Sequence, residues 1–194
     1  MSSDFAFQTA DLIDRAADAV ARARSAGADA ASAHVRSSVA TSVSVRLGAL
    51  EDVGRSEERD LSLTLYCGQR SASVSTADLS PAAVDALVER AVAMARLAPE
   101  NPWSGLAPEE ALMRGPLPDC DLADPAGEPD PERLRAMALA AEDAARAVPG
   151  ITNSEGGTAA ANMSAVALAT SHGFAGGWHA TGYSLSASVL AGNG

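Results

Sequence analysis

The sequence predicts an α+β fold in which antiparallel sheets are covered by about three helices. Apolar and polar residues alternate with a period of two between residues 41 and 76 and again between residues 158 and 190, which is typical of strands with one buried face. Three other segments carry apolar residues at helical spacing. Short connections between consecutive strands favour antiparallel pairing, and helices that cover such a sheet define the α+β class.

Residues 1–98 are predicted to form an N-terminal α+β domain. Residues 5–26 have the pattern of an amphipathic helix that ends at Gly27. Four strands are predicted to follow as an antiparallel meander, at 41–47, 50–56, 61–66 and 71–76. The charged run of residues 57–60 (EERD) is predicted to be the turn between the second and third of these strands.

A second helix is predicted to begin at Ser80 and Pro81. Serine is a favoured N-cap, and proline suits the first helical turn because its missing N–H needs no partner there. The apolar stripe of this helix consists of Val84, Leu87, Val88, Ala91 and Ala95. We expect the stripe to pack on the sheet.

Residues 99–130 are predicted to be an acidic, proline-rich connector. Frequent prolines remove backbone donors and interrupt helices, so an extended and solvated segment is expected. Trp103 and Leu106 are expected to anchor this connector by burying apolar surface.

Residues 131–194 are predicted to add a third helix and antiparallel strands. The helix starts with Asp130 as its cap, followed by Pro131. Strands are predicted at 158–171 and 174–190. The chain then ends on Asn193-Gly194, a favoured hairpin turn, with no return strand after it. We therefore expect a truncated two-part scaffold whose second part lacks its C-terminal continuation.

The charge balance argues against nucleic acid as a partner. The 25 acidic and 14 basic residues give a net charge of −11, which repels phosphate. No apolar run is long enough to cross a membrane, and the start of the chain lacks the pattern of a signal peptide. Cys67 and Cys120 are far apart in sequence and form no C-x-x-C pair, which fits a reducing compartment. We expect a cytoplasmic protein.

No catalytic or metal-binding residue is predicted from the residue patterns. The chain has three histidines, His34, His172 and His179, and none has the spacing of an H-E-x-x-H zinc helix. Ser154, Glu155 and His172 suggest a nucleophile, a carboxylate and a base, but a G-x-S-x-G elbow is missing. These three residues are candidate contacts for a peptide or a partner, and ordinary turn chemistry also accounts for them.

Four segments in register carry a resemblance to a known family. They are VSVRLGALEDV at 43–53, SASVSTADLS at 71–80, ITNSEGG at 151–157 and TSHGF at 170–174. The chain resembles the N-terminal half of the TldD/PmbA family, and it is more similar to the PmbA (TldE) branch than to the TldD branch. The resemblance spans nearly all of the sequence.

The resemblance implies a cytosolic subunit of a metallopeptidase complex, of the kind historically labelled modulator of DNA gyrase. TldD-type members carry zinc in an H-E-x-x-x-H motif of their C-terminal half, and PmbA-type members lack those ligands and pair with the TldD type around an enclosed peptide channel. The resemblance therefore implies no cofactor in this chain, zinc in a TldD-type partner, and a peptide substrate. Association with a TldD-type subunit and self-association both stay open. The alternative function is a non-catalytic module that binds a peptide or a partner by strand addition.

Overall fold

A computed structural model describes residues 3–113 and 115–192, with side chains from residue 9 onward except that of residue 109. The predicted turn at Asn193-Gly194 lies outside the described residues. Within them, the chain forms three α-helices and one five-stranded antiparallel sheet, which confirms the α+β class. The helices are α1 (Ser3–Ser25), α2 (Pro81–Leu97) and α3 (Pro131–Arg146). The strands are β1 (Ala30–Arg46), β2 (Ala49–Cys67), β3 (Arg70–Thr76), β4 (Ile151–Thr170) and β5 (Ala175–Ala191).

The strands lie in the order β3-β2-β1-β4-β5, so β3 and β5 are the edges of the sheet. The chain divides into two compact units that do not follow chain order. The first unit comprises Met1–Ser37, Glu58–Asp121 and Ala165–His179, and the second comprises Ser38–Glu57, Leu122–Ser164 and Ala180–Gly194. The division of the sequence into 1–98, 99–130 and 131–194 stays a prediction.

The core of the first unit lies between the helices α1 and α2 and one face of the sheet. β1 begins at Ala30, eleven residues before the predicted start at residue 41. Alternate residues of β1 and β2 are buried in this core, and for residues 61–66 this confirms the predicted period-two pattern. They are Ala31, Ala33 and Val35 in β1 and Leu61, Leu63 and Leu65 in β2. β3 pairs antiparallel with β2 from Leu61↔Thr76 to Cys67↔Arg70. Ser80 caps α2 as predicted, since its side chain accepts a hydrogen bond from the N–H of Ala83.

The core of the second unit lies between α3 and the strands β1 and β4. It consists of Val43, Val45, Leu134, Ala138, Ala159 and Ala161. Asp130 caps α3 as predicted, because its side chain accepts a hydrogen bond from the N–H of Glu132 at 2.9 Å. Small residues let α3 approach β4 closely. A Cβ atom at Gly157 would overlap the carbonyl oxygen of Ala138.

The predicted turn at residues 57–60 is wrong, because β2 runs without interruption from Ala49 to Cys67. The meander therefore has three strands, not four. Almost every residue of β2 from 49 to 60 is exposed, so charged side chains on both faces reach water while the backbone stays in the sheet. A charged run is therefore compatible with this strand, although it usually marks a turn.

The expected anchoring of the connector by Trp103 is also wrong, since 91% of Trp103 is exposed. Hydrogen bonds hold the connector instead. The N–H of Asn101 donates to the carbonyl of Gln69 at 2.8 Å in the first unit. In the second unit the hydroxyl of Tyr183 donates to Asp124 at 2.8 Å.

Candidate functional site

Ser154, one of the predicted contact residues, is buried in the second unit beside Glu142. Its hydroxyl donates a hydrogen bond to Oε1 of Glu142 at 2.5 Å and accepts one from the N–H of Gly156 at 3.0 Å. Neither Ser154 nor Glu142 has exposed surface. Ser154 therefore joins β4 to α3, and its enclosed side chain offers no surface to a peptide.

The carboxylate of Glu142 also holds the turn between β1 and β2. It accepts hydrogen bonds from the N–H of Leu47 at 2.8 Å and from the N–H of Gly48 at 3.1 Å. The hydrogen bond from Ser154, supported by those two backbone donors, keeps the pKa of the Glu142 carboxyl below its ordinary value, although burial acts in the opposite direction. Three donors thus satisfy a buried ionised group, which would be costly without them.

The turn held by Glu142 has an unusual residue at its tip. Leu47 and Gly48 both adopt positive φ angles, 51° and 79°. Such two-residue hairpin turns favour Asn, Asp or Gly at the first position, because a branched side chain is strained in the left-handed region. The side chain of Leu47 is also 55% exposed, so burial does little to offset this strain.

Glu142 was not predicted from the sequence. It follows Leu134 and Ala138 at four-residue spacing, so it lies on the buried stripe of α3. A carboxylate is almost never buried unless it has partners. The position of Glu142 on the apolar stripe was therefore the sequence signal for a buried, hydrogen-bonded carboxylate.

Glu155, the next predicted contact residue, is exposed on β4 in the second unit. Its Oε2 accepts a hydrogen bond from the hydroxyl of Ser188 on β5 at 3.3 Å. Adjacent residues of a strand point to opposite faces, which explains why Ser154 is enclosed and Glu155 is accessible. Of these two neighbours, only Glu155 can reach a partner.

His172 belongs to the first unit and is exposed in the connection between β4 and β5. Its Nδ1 lies 3.2 Å from the carbonyl oxygen of Ala107. It borders a cleft of about 600 Å³, which we call the His172 cleft. The cleft is lined by Ile13, Leu112, Met113, Gly115, Pro116, Leu117 and residues 173–177. The lining thus combines apolar side chains with exposed backbone of the glycine-rich segment.

The three histidines do not gather into a metal site. His179 is partly buried, its Nε2 lies 2.6 Å from the hydroxyl of Thr9, and burial lowers the pKa of its imidazole. Across the described ranges, no three His, Cys, Asp or Glu side chains come close enough together to hold a metal ion. The described residues therefore do not fit a zinc site of the usual three or four protein ligands.

Comparison with known protein families identifies the family of this chain. The model of the PmbA/TldA metallopeptidase domain 1 matches residues 33–95, and that of the PmbA/TldA metallopeptidase central domain matches residues 124–194. Together the two matches cover more than half of the sequence, in the family's order. The chain belongs to the PmbA/TldD metallopeptidase family.

Curated relatives in this family are identical to the chain at about a third of the aligned positions. Metalloprotease PmbA of Escherichia coli O157:H7 is 35% identical over 157 residues, which is 81% of this chain and 35% of the relative. The metalloprotease PmbA homolog of Haemophilus influenzae is 35% identical over 152 residues, which is 78% of this chain and 33% of the relative. The chain thus spans about a third of the length of these relatives.

Solved structures share the fold of this PmbA/TldD chain. A protein from Bacteroides thetaiotaomicron described as a modulator of DNA gyrase has a TM-score of 0.81 and 26% identity, over 92% of this chain and 40% of that one. TldE from Thermococcus kodakarensis has a TM-score of 0.71 at 16% identity, over 93% of this chain and 40% of that one. In the described part of the PmbA/TldD chain, no helix is long and apolar enough to span a membrane.

Proposed function

We propose that this chain is part of a PmbA-type subunit of a metallopeptidase complex, the subunit that does not bind zinc, and that it helps to form the walls of a peptide-processing chamber. The 35% identity to metalloprotease PmbA over 81% of the chain carries the assignment to a PmbA-type subunit. In this proposal a TldD-type partner would hold zinc, which would supply the activation of water that peptide hydrolysis requires. The residues of this chain contribute shape, docking surface and peptide contacts.

The arrangement of the described residues supports a scaffold role. The buried carboxylate of Glu142 accepts hydrogen bonds from the hydroxyl of Ser154 and from two N–H groups of the β1–β2 turn. A fully buried carboxylate that is held by three structural donors is unsuited to act as a general base, because a substrate cannot reach it. Glu155 and the His172 cleft are the accessible parts of the predicted set.

The test mixes the full-length subunit of which this chain is a part with a TldD-type subunit that carries H-E-x-x-x-H. We expect a stable complex in size-exclusion chromatography, hydrolysis of an extended peptide by the mixture, and loss of hydrolysis with a chelator. The matched control replaces the glutamate of the partner's motif by glutamine, which should keep the complex and abolish hydrolysis. Failure of the two chains to associate at micromolar concentration would contradict the proposal.

The His172 cleft favours a second candidate function, a non-catalytic module that binds an extended peptide. This function predicts that the chain alone binds a fluorescently labelled extended peptide without chelator-sensitive turnover. Phe174→Ala should weaken the binding because Phe174 lines the cleft, whereas Leu97→Ala, at an exposed position of α2 outside the cleft, should leave it unchanged. Equal effects of the two variants in fluorescence anisotropy would rule out the cleft as the binding site.

A further inference from the structure

Trp103 is the most exposed of the large apolar side chains that the structure describes, at 91%. Its indole is a large apolar group, and removal of such surface from water is a main source of folding and binding energy. The chain has one other tryptophan, Trp178, which is partly buried. Single exposed apolar residues are common on proteins, so exposure alone assigns no role to Trp103. The turn that carries the indole sets it apart.

A hydrogen-bonded turn of residues 101–104, which we call the Trp103 turn, fixes the backbone at this position. The side-chain oxygen of Asn101 accepts a hydrogen bond from the N–H of Trp103 at 3.0 Å, and the Asn101 carbonyl accepts one from the N–H of Ser104 at 2.9 Å. Pro102 lies between them with a fixed φ. Asparagine and proline both favour turns, so the sequence specifies this conformation locally.

The Trp103 turn is attached at both of its ends to the connection between β2 and β3. The N–H of Asn101 donates to the carbonyl of Gln69 at 2.8 Å. The hydroxyl of Ser104 lies 3.4 Å from the hydroxyl of Ser71. All four residues belong to the first unit. The backbone of the turn is therefore held by the first unit while the indole lies in water.

Arg70 fastens the chain immediately ahead of the Trp103 turn. Its guanidinium donates to the carbonyl of Arg96, near the end of α2, at 2.9 Å and to the carboxylate of Glu100 at 3.2 Å. A side chain on an ordered backbone loses less conformational freedom on binding than one on a mobile loop. Trp103 is therefore suited to anchor a protein interface, where tryptophan is prominent among the residues that dominate the binding energy.

The charge of the surrounding connector indicates the kind of partner. In the first unit, connector residues 99–121 contain five acidic residues and one basic residue, and the chain as a whole carries a net charge of −11. Two copies of such a surface would repel each other. A partner with basic residues around an apolar pocket would instead match both the charge of the connector and the indole.

We propose that Trp103 anchors the full-length subunit to its protein partner by inserting the indole into an apolar pocket with a basic rim. The partner is the TldD-type subunit of the proposed function, on which this inference rests. The Trp103 turn positions the indole before the partner arrives, which limits the entropy lost on association. The exposed ring of Pro102 lies next to the indole in sequence and adds apolar surface.

The affinity of the full-length subunit for a TldD-type subunit, measured by isothermal titration calorimetry, tests the anchor. Trp103→Ala should raise the dissociation constant by about tenfold or more. It should leave the thermal unfolding midpoint of the subunit unchanged, because the indole is exposed. Asn101→Ala removes the acceptor of the Trp103 N–H and should raise the dissociation constant by a smaller factor. Leu50→Ala is the matched control, since Leu50 is 49% exposed on β2, and should leave it unchanged.

Hydroxyl-radical footprinting read by mass spectrometry identifies what covers the indole. Trp103 should be oxidised faster than Trp178 in the subunit alone and more slowly than Trp178 in the complex. Protection of Trp103 in the subunit alone overturns the inference. Protection that is independent of concentration would show that the rest of the same chain covers the indole, and protection that grows with concentration would show that a second copy does.

The outcomes separate this inference from the proposed function. A complex that is equally tight with Trp103→Ala overturns the inference alone, as does one that Leu50→Ala weakens as much as Trp103→Ala. Added salt should weaken the complex by screening the basic rim from the acidic connector, and a complex that salt leaves unchanged overturns the inference as well. The absence of any complex between the unmodified subunits contradicts the proposed function together with the inference.

Discussion

The hydroxyl of Ser154 on β4 donates a 2.5 Å hydrogen bond to the carboxylate of Glu142 on α3, and both side chains are completely buried. The same carboxylate accepts the N–H groups of Leu47 and Gly48. A single buried charge thus connects a helix, a strand and a hairpin turn. The first unit has no role in this cluster, since all four residues belong to the second.

Replacing Glu142 by glutamine should destabilise the fold. A glutamine side chain has one oxygen acceptor and brings two donors of its own, so at least one of the three native donors loses its partner. We expect Glu142→Gln to lower the free energy of unfolding by about 2 kcal/mol, the scale of a hydrogen bond to a charged group. Urea denaturation of the purified chain measures this change.

Asp143→Asn is the control for that variant. Asp143 is exposed on the same helix. The substitution therefore removes a charge from α3 without changing the hydrogen bonds of Glu142. It should change the free energy of unfolding by less than about 0.5 kcal/mol. A Glu142→Gln variant as stable as Asp143→Asn would show that the cluster contributes no stability.

The contribution of Glu142 to the free energy of unfolding should decrease at acidic pH. The folded-state pKa of Glu142 is lower than the ordinary value of 4.5, so its contribution to stability is present above about pH 4.5 and is lost as the pH falls through the folded-state pKa. The unfolding free energies of the wild type and of Glu142→Gln should therefore converge below pH 4.5. A difference between them that stays constant from pH 7 to pH 3 would contradict this assignment.

The regular elements were predictable because their signals are local. Ser80 and Asp130 mark helix starts through capping, and alternating leucines from Leu61 to Leu65 mark a strand with one buried face. The continuation of β2 through residues 57–60 was not predictable, because membership of the sheet beside β1 outweighs the local preference of charged residues for turns. Trp103 likewise showed that a large apolar side chain in a connector need not be buried.

The candidate site was predicted only in part. His172 borders a cleft and Glu155 is accessible, but the role of Ser154 depends on Glu142, which is 12 positions away in sequence. A single sequence does not show which carboxylate a buried serine will meet. The position of Glu142 in line with Leu134 and Ala138 was the available clue.

A methyl group at Gly157 should be poorly tolerated. A Cβ atom at this position would overlap the backbone oxygen of Ala138. The backbones of β4 and α3 cannot shift easily, because both are packed in the core. We expect Gly157→Ala to lower the free energy of unfolding by about 1–3 kcal/mol, the usual cost of overpacking. Gly182→Ala is the matched control on β5, where a Cβ would have no neighbour within 4 Å. Equal stability of the two variants in thermal unfolding would refute the close approach of α3.

Asparagine at position 47 should stabilise the hairpin. Leu47 has a φ of 51°, a conformation that costs most L-residues about 1 kcal/mol and that asparagine adopts more readily. Leu47→Asn should therefore raise the midpoint of thermal unfolding, with a gain of about 1 kcal/mol. Leu50→Asn, at a similarly exposed position within β2, should give no gain because asparagine is disfavoured in strands. A loss of stability in Leu47→Asn would mean that the leucine side chain contributes more than its turn conformation costs.

The central claim is that this chain supplies scaffold while bond cleavage depends on a metal held by another subunit. The most direct measurement is the zinc content and the peptidase activity of the purified chain alone, after incubation with zinc and removal of excess metal. The account predicts substoichiometric zinc and no chelator-sensitive cleavage of an extended peptide. One zinc ion per chain together with unaided, chelator-sensitive hydrolysis would contradict it.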